Sequence, residues 1–337
     1  MIMKIIIDPI DDILYKSFYI YALEQRFGSR YIHYSHKPFC ELSKKTRNSK
    51  SIRFVIQDGE SIKRFAIACN DSYQIIPELY NWADIYGSVN ANFTLTPLEY
   101  RAKLVSLCPS FAIKCWTLPK TIKQAFQWTP SSYSNWKKYL GKHKRMLHRQ
   151  QYADYLTNID VCENYIFTCN TLWYNDEWNK NNEGVNLNRA HFIRACKDID
   201  YLKFEGGFVA ARHDLASNKL FEDCLSQPYS TSNWMMKTKQ SICVFNTPAF
   251  WRCHGWKLGE FMALGKAIIS TPLSNDLPAP LIHGQHIHLV SPDYDSISEA
   301  IRYIASHPDY RKSLEHNISA YWDTYGTPQK SLELLGL

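Results

Sequence analysis

A chain of 337 residues is long for one domain and comfortable for two. Its 45% hydrophobic and 21% charged content is that of an ordinary globular protein, which excludes a disordered or fibrous chain. No apolar run approaches the ~20 residues of a membrane-spanning helix, and a net charge of +7 with no recognisable nucleic-acid module does not require a nucleic-acid partner.

The opening MIMKIIIDPIDD puts acids directly behind a short apolar run. That order predicts a buried strand over residues 4–8 and not a signal peptide. An amphipathic helix is predicted over 13–27, then strands over 31–34, 53–57 and 64–69. Residues 77–86 open on Pro77, which suits a first helical turn, and predict a helix. Strands over 103–107 and 112–116 follow. The sharp turns after Asp8, at 69–71 and at 87–90 stand where an open α/β sheet lines its ligand crevice. They make Asp71 the first candidate for a general base, with Asp8, Asp58 and Asp84 behind it. Turn chemistry is the competing reading of each.

Residues 128–160 read as a linker zone, being polar, basic and aromatic around Pro130. Two basic runs, 44–53 (KKTRNSKSIR) and 137–149 (KKYLGKHKRMLHR), read as solvated faces, or as attraction to anionic lipid head groups or a diphosphate-linked acceptor. A second α/β unit then begins. Strands are predicted over 165–169, over 202–204 and 208–210 around Gly206–Gly207, and over 242–245, 267–270 and 287–290. A helix over 187–197 lies among them. Ser296 with Glu299 forms a capping box, and Ile297, Ala300, Ile301 and Ile304 supply the helical stripe. A last helix covers 308–325. Strands alternating with helices predict doubly wound α/β sheets.

Ten cysteines without a CxxC pair read as reduced thiols. His283, His286 and His288 have workable zinc spacing, but no cysteine or carboxylate completes the set, so no metal is expected. Arg212 is a further phosphate candidate. The 22 tyrosines and 10 tryptophans fit a sugar-handling surface and a large core equally well.

Residues 251–272, WRCHGWKLGEFMALGKAIISTP, are the most informative stretch. They predict a turn at Gly255, a helix over 256–264 closed by Gly265, and a buried strand. A helix opening at His254, Gly255 and Trp256 aims unpaired amides and a positive dipole end at whatever lies in front of it, which suits a phosphate or diphosphate. Lys257 adds a mobile positive charge, and Glu260, one turn on, is placed to chelate a vicinal diol. Phosphate plus ribose is the outline of a nucleotide.

On these residues the chain resembles the nucleotide-sugar glycosyltransferases of the GT-B fold, in particular the retaining group-1 family. That family carries a Glu, a Gly three residues later and a second Glu five after that, followed by Ala-Met-Ala-x-Gly-x-Pro-Val-Ile. Gly255, Glu260, Met262–Ala263, Gly265 and Ile268–Ile269 fall on the pattern. Arg252 stands at the first Glu, and Lys266–Ala267 replaces the usual residue and proline. The loop and strand over 281–290 and the helices after it resemble the family's closing elements.

The resemblance implies two Rossmann-like α/β domains facing a central cleft. Residues 1–155 would bind the acceptor, 156–310 the nucleotide sugar, and 311–337 would form a helix crossing back toward the first domain. It implies donor binding by Asn246, Thr247, Arg252, Gly255, Lys257, Gly259 and Glu260, with Asp71 and His254 as catalytic candidates. A nucleoside-diphosphate sugar is then a substrate, with no cofactor or metal expected. The implied activity is hexosyl transfer to a glycan or lipid-linked acceptor in polysaccharide biosynthesis. The implied location is cytoplasmic, with peripheral contact to an anionic membrane as a further expectation. Arginine cannot accept a hydrogen bond, so Arg252 keeps open the alternative of a degenerate nucleotide- or glycan-binding relative. A sugar-nucleotide epimerase is a further rival. A NAD enzyme is disfavoured because no GxGxxG follows the first strand.

Overall fold

The computed structural model describes residues 3–10, 12–128, 136–173, 184–210 and 219–337; Arg212 lies outside them. The chain divides into two compact units. The first comprises Met1–Asp154, Asn275–Ala279 and Asp323–Leu337, and the second Tyr155–Ser274 and Pro280–Trp322. The division is more interleaved than the sequence suggests. The helix over Pro308–Tyr321 belongs to the second unit, and only the residues after Trp322 join the first.

In the first unit the elements run β1 (Lys4–Ile7), α1 (Ile13–Phe27), β2 (Ile32–Tyr34), α2 (Lys44–Arg47), β3 (Ser51–Asp58), β4 (Ser61–Ala68), α3 (Pro77–Trp82), β5 (Ile85–Ser88), β6 (Leu104–Ser106), α4 (Leu118–Trp128), α5 (Trp136–Leu147) and α6 (Tyr152–Leu156). One sheet of order β2-β1-β3-β4-β5-β6 carries them. β3 is antiparallel to β1 and β4, and the other pairs are parallel. The tight turn at Gly59, whose φ of 62° suits glycine, lengthens β3 and β4 beyond their predicted ends.

Three expectations change. The helix begun by Pro77 stops at Trp82, because Asp84 pairs with Arg64 in the middle of β4: its N–H donates to Arg64 O (2.9 Å) and its carboxylate accepts from Arg64 N (2.7 Å). The chain is thereby returned to the sheet as β5. Ala112, Ile113 and Trp116 are buried, but residues 112–116 form no strand; Ile113 N–H donates to Ser17 Oγ (3.0 Å) and Lys114 N–H to Gln150 O (2.8 Å). The linker zone contains α5 and α6, with α5 packed on α1.

Helix α1 is not amphipathic in the usual sense, since it is covered by the sheet, by α5 and by α12 (Pro328–Leu334). Even Lys16 is buried, donating to Asp8 O (3.0 Å) and Ile10 O. Gly87 makes room for the C-terminal segment: a Cβ there would stand 2.8 Å from Leu107 Cδ1 and 3.1 Å from Leu335 Cδ2.

Asp8 is the polar hub of this unit. It is fully buried and accepts from Arg47 Nη2 (2.6 Å) and Nε (3.0 Å) and from Arg53 Nε (3.1 Å). Burial alone would raise its pKa, but the Arg47 hydrogen bond and the charges of Lys16, Arg53 and Arg47 outweigh it and hold the pKa below the ordinary carboxylate value. Asp8 is therefore structural and unsuited to the base role considered for it. The run 44–53 is only in part a solvated face: its two arginines are spent on Asp8 and Lys50 pairs with Asp71 (2.8 Å), while Lys44 and Lys45 are exposed.

The second unit runs β7 (Tyr165–Leu172), α7 (Val185–Lys197), β8 (Lys203–Ala210), α8 (Thr231–Gln240), β9 (Val244–Asn246), α9 (Trp256–Ala263), β10 (Ile268–Ser270), β11 (His288–Leu289), α10 (Tyr294–Ser306) and α11 (Pro308–Tyr321). All its strand pairings are parallel, in a β7-β8 pair and a β11-β10-β9 sheet. Ile242 N–H donates to Tyr165 O (2.9 Å), which sets β7 beside the entry to β9. The core gathers Ile166, Phe192, Phe245, Ile269, Ile301 and Leu314, with Phe192 stacked on Phe245. β8 is continuous through Gly206 and Gly207; at φ +101°, a Cβ on Gly206 would stand 1.8 Å from Thr168 O. The cap of α10 is Asp293, which accepts from Ser296 N (2.8 Å) and Oγ (2.9 Å), so Ser296 is the capped residue and not the cap. Both units are thus α/β with parallel pairings in the majority, as the alternation of elements predicts. All ten cysteines are free thiols.

Replacing Asp8 by Asn leaves buried cations without their counter-charge. Asp8→Asn should cost about 3 kcal/mol at neutral pH in urea unfolding. With its pKa depressed in the folded state, Asp8 stabilises above about pH 4 and that contribution is lost as pH falls through the folded pKa. The difference between wild type and variant should shrink in acid.

Candidate functional site

Parallel strands deliver their C-terminal ends to one edge, and that edge lines the crevice of an α/β unit. Here it presents the ends of β7, β9 and β10 and the start of α9. Asn246 closes β9 and donates from Nδ2 to Ser270 Oγ (2.9 Å) at the end of β10. Ser270 Oγ donates to Thr271 O (2.7 Å), and Thr271 Oγ1 to Thr247 Oγ1 (2.9 Å). Asn188 of α7 donates to the same Thr247 oxygen (3.2 Å). Asn246 and Thr247 are buried in this network, so their first task is to hold the strand edge in register.

From β9 the chain turns back through Phe250, Trp251 and Arg252 into α9. Trp251 and Arg252 are both left-handed, at φ 58° and 56°, a conformation that costs non-glycine residues energy and tends to persist at functional turns. The Arg252 side chain is exposed. His254 is buried, one residue before the N-cap. Gly255 is that cap, at φ −78° and ψ 158°, with no side-chain capping bond. This is extended backbone open to any residue, so the predicted flexible turn is not what glycine provides. The strain lies three residues earlier, and what Gly255 does is leave the helix start without a covering side chain.

Lys257 is not mobile. Its Nζ donates to Asn170 Oδ1 (2.7 Å) and to the Cys169 carbonyl, which ties the first turn of α9 to the end of β7. Its pKa is lowered to about 8, first by burial and then by the positive charge of Arg189 on α7, against the opposing pull of Cys169 and Glu260. Arg189 is itself lowered to about 10 by burial. Two cations are thus held in each other's field beside an uncapped helix start, an arrangement that an anion relieves. Glu260 is one turn further along α9, 7% exposed, with Oε1 accepting from Tyr155 OH (3.0 Å). Gly259 is buried in the same turn.

The second unit therefore gathers Asn246, Thr247, Gly255, Lys257, Gly259 and Glu260 on one strand-and-helix unit, with His254 and Arg252 in the approach. Asp71 belongs to the first unit, where Lys50 engages it. Asp84 is committed to the Arg64 amide and Asp58 to the β3–β4 turn. Arg189, Asn170 and Tyr155 complete the site and escaped the sequence reading. Each comes from an element remote in sequence, and no local pattern marks a single Arg, Asn or Tyr.

The three histidines are occupied locally. His283 Nδ1 accepts from Leu289 N (2.9 Å), His286 Nδ1 accepts from Ile282 N (3.1 Å), and His288 Nδ1 meets Tyr310 OH (2.9 Å). His283 and His288 line a cavity of about 460 Å³ with Tyr303 and Tyr310, built on α10 and α11 and not on the start of α9.

If Lys257 meets the phosphates, affinity for UDP, GDP or ADP should fall as pH rises through about 8, where the free ammonium loses its proton. Arg189→Gln removes one cause of the depressed pKa, so it should weaken binding and move the midpoint upward. Calorimetric titration across that range checks both. A pH-independent affinity would remove Lys257 from the site.

No family model matches the chain, and no curated protein matches it. Among solved structures it is similar to the C-terminal domain of a glycosyl transferase group 1 family protein, LpcC, from Francisella tularensis. That match has 14% identity and a TM-score of 0.35 over 50% of this chain and 88% of that one. A glycosyltransferase from Rickettsia africae is similar at 12% identity and a TM-score of 0.41, over 74% of this chain and 61% of that one. The MnaA–UDP structure from S. aureus is similar at 12% identity and a TM-score of 0.40, over 77% and 60%. The chain thus spans about three fifths of the length of the latter two. At this level of likeness the functional reading rests on the residues themselves.

Proposed function

We propose that the second unit binds a nucleoside-diphosphate sugar at the start of α9 and that the protein transfers the sugar to a glycan or lipid-linked acceptor. The observation that carries the reading is Lys257, held against Asn170 and in the field of Arg189, beside an uncapped helix start, with the Glu260 carboxylate one turn on. In sugar transfer the leaving nucleoside diphosphate gains negative charge as the glycosidic bond breaks. Groups already aimed at that charge stabilise the transition state more than the ground state. Lys257, Arg189 and the first amides of α9 supply that stabilisation. Glu260, oriented by Tyr155, accepts from the ribose hydroxyls, and His254 is placed to bond a phosphate or sugar oxygen. Of the two proton-transfer candidates, His254 adjoins the diphosphate locus, whereas Asp71 is engaged by Lys50. Retention of anomeric configuration, a hexosyl donor and a role in surface polysaccharide synthesis belong to the reading through the motif resemblance.

Arg252 supports a second reading. The related motif has a carboxylate there to hold the donor sugar, and a strained, exposed guanidinium cannot replace it as an acceptor. A chain that binds nucleotide but transfers no sugar fits this substitution.

Thermal shift against UDP-, GDP-, ADP- and CMP-sugars separates the possibilities. One donor class should raise the Tm, and Glu260→Gln should remove most of that rise while the unliganded variant stays folded. Release of nucleoside diphosphate from the stabilising donor marks the transferase, and stabilisation without release marks the binder. A full response in Glu260→Gln overturns the ribose assignment.

A further inference from the structure

The charge of this protein is unevenly distributed. Between Tyr100 and Asp154 there are 11 Lys and Arg residues and no Asp or Glu, whereas the whole chain carries only +7. The rest of the sequence is therefore net acidic, and the excess cation lies in the segment that forms α4 and α5. Lys142 pairs with Asp12 (3.0 Å) and Lys120 with Glu24 (2.7 Å), but Lys123 on α4 and Lys137, Lys144 and Arg145 on α5 are exposed. Arg26 and Arg30 at the end of α1 are exposed beside the Glu24 and Ser29 that Lys120 contacts.

Among these cations is an apolar stripe. Helix α4 turns Thr121, Gln124, Ala125 and Trp128 into the core. Its outer face carries Leu118, Ile122 and Phe126, four residues apart and 58%, 51% and 74% exposed. Leu140 on the adjoining α5 is 37% exposed. Four-residue spacing stacks side chains on one face of a helix. A surface helix ordinarily shows polar groups there, and large exposed apolar side chains in a row mark a docking face.

We infer that the α4–α5 face of the first unit docks on an anionic lipid bilayer, with Leu118, Ile122 and Phe126 entering the head-group boundary and the surrounding lysines and arginines meeting the lipid phosphates. An in-plane amphipathic helix binds through both forces together, apolar burial and attraction to anionic head groups. Nucleic acid would use the cations alone and leave the stripe in water. The inference goes beyond sugar transfer and does not depend on it, since docking is read without donor.

Co-sedimentation of the full chain tests it, with vesicles of phosphatidylcholine alone or mixed with phosphatidylglycerol. Wild type should pellet with the mixed vesicles, not with phosphatidylcholine alone, and less at high salt. Ile122→Ser/Phe126→Ser, with both changes on solvent-exposed positions and its fold checked by circular dichroism, should bind roughly tenfold more weakly. Lys123→Glu/Lys144→Glu should lose binding while keeping the stripe. Failure of wild type to bind mixed vesicles overturns the inference. So does undiminished binding by the Ser variant, or equal binding of wild type to double-stranded DNA at matched phosphate concentration.

Discussion

Two positive charges lying in each other's field, each only partly exposed, form the constraint on which the functional reading turns. Lys257 is held by the end of β7, and Arg189 approaches from α7. Neither position reduces the cost for the empty protein. Burial and mutual repulsion both disfavour the charged lysine, so the folded site gives up stability that a bound dianion returns. The surrounding network explains why the arrangement persists. Asn188, beside Arg189 in α7, holds Thr247, and Thr247 and Asn246 are tied to the end of β10. Lys257 and the α7 residue next to Arg189 are thereby tied to the ends of β7, β9 and β10.

Much of this second unit is legible in the sequence because its information is local. The helix and strand over 251–272 are written by the Leu258–Phe261–Met262 face and Gly265, and α9 and β10 form there, while the turn before them is made at Trp251 and Arg252 and not at Gly255. What is not legible depends on contacts distant in sequence. Nothing around Arg189 marks it, and Tyr155 meets Glu260 across 105 positions. Even within the local reading, Asp293 displaces Ser296 as cap, because the residue with extended backbone takes the role and both carry a suitable oxygen.

The first unit is less legible for a related reason. Its sheet mixes directions, and its α1 is buried on faces that periodicity assigns to solvent, since α5 and α12 cover what the sheet does not. Asp8 shows the same limit. A turn aspartate after a first strand reads as a candidate for chemistry, yet Arg47 and Arg53 arrive from 39 and 45 residues away and convert it into a structural anchor. Composition foresaw basic runs at 44–53 and 137–149, but only the fold shows that Arg47 and Arg53 of the first are turned inward while Lys137, Lys144 and Arg145 of the second stay exposed.

The first unit is assembled from three separate pieces of chain. Asp276 donates its N–H to Ala91 O (2.8 Å) and accepts from Phe93 N through its carboxylate (2.6 Å), and Leu335 fills the space over Gly87. On the ribosome, the leading half of the polypeptide therefore emerges without its own finishing parts. It must wait as an open sheet until nearly all of the second unit has been made, exposing apolar surface during synthesis. A tag or truncation at the trailing end would be felt at the beginning of the molecule.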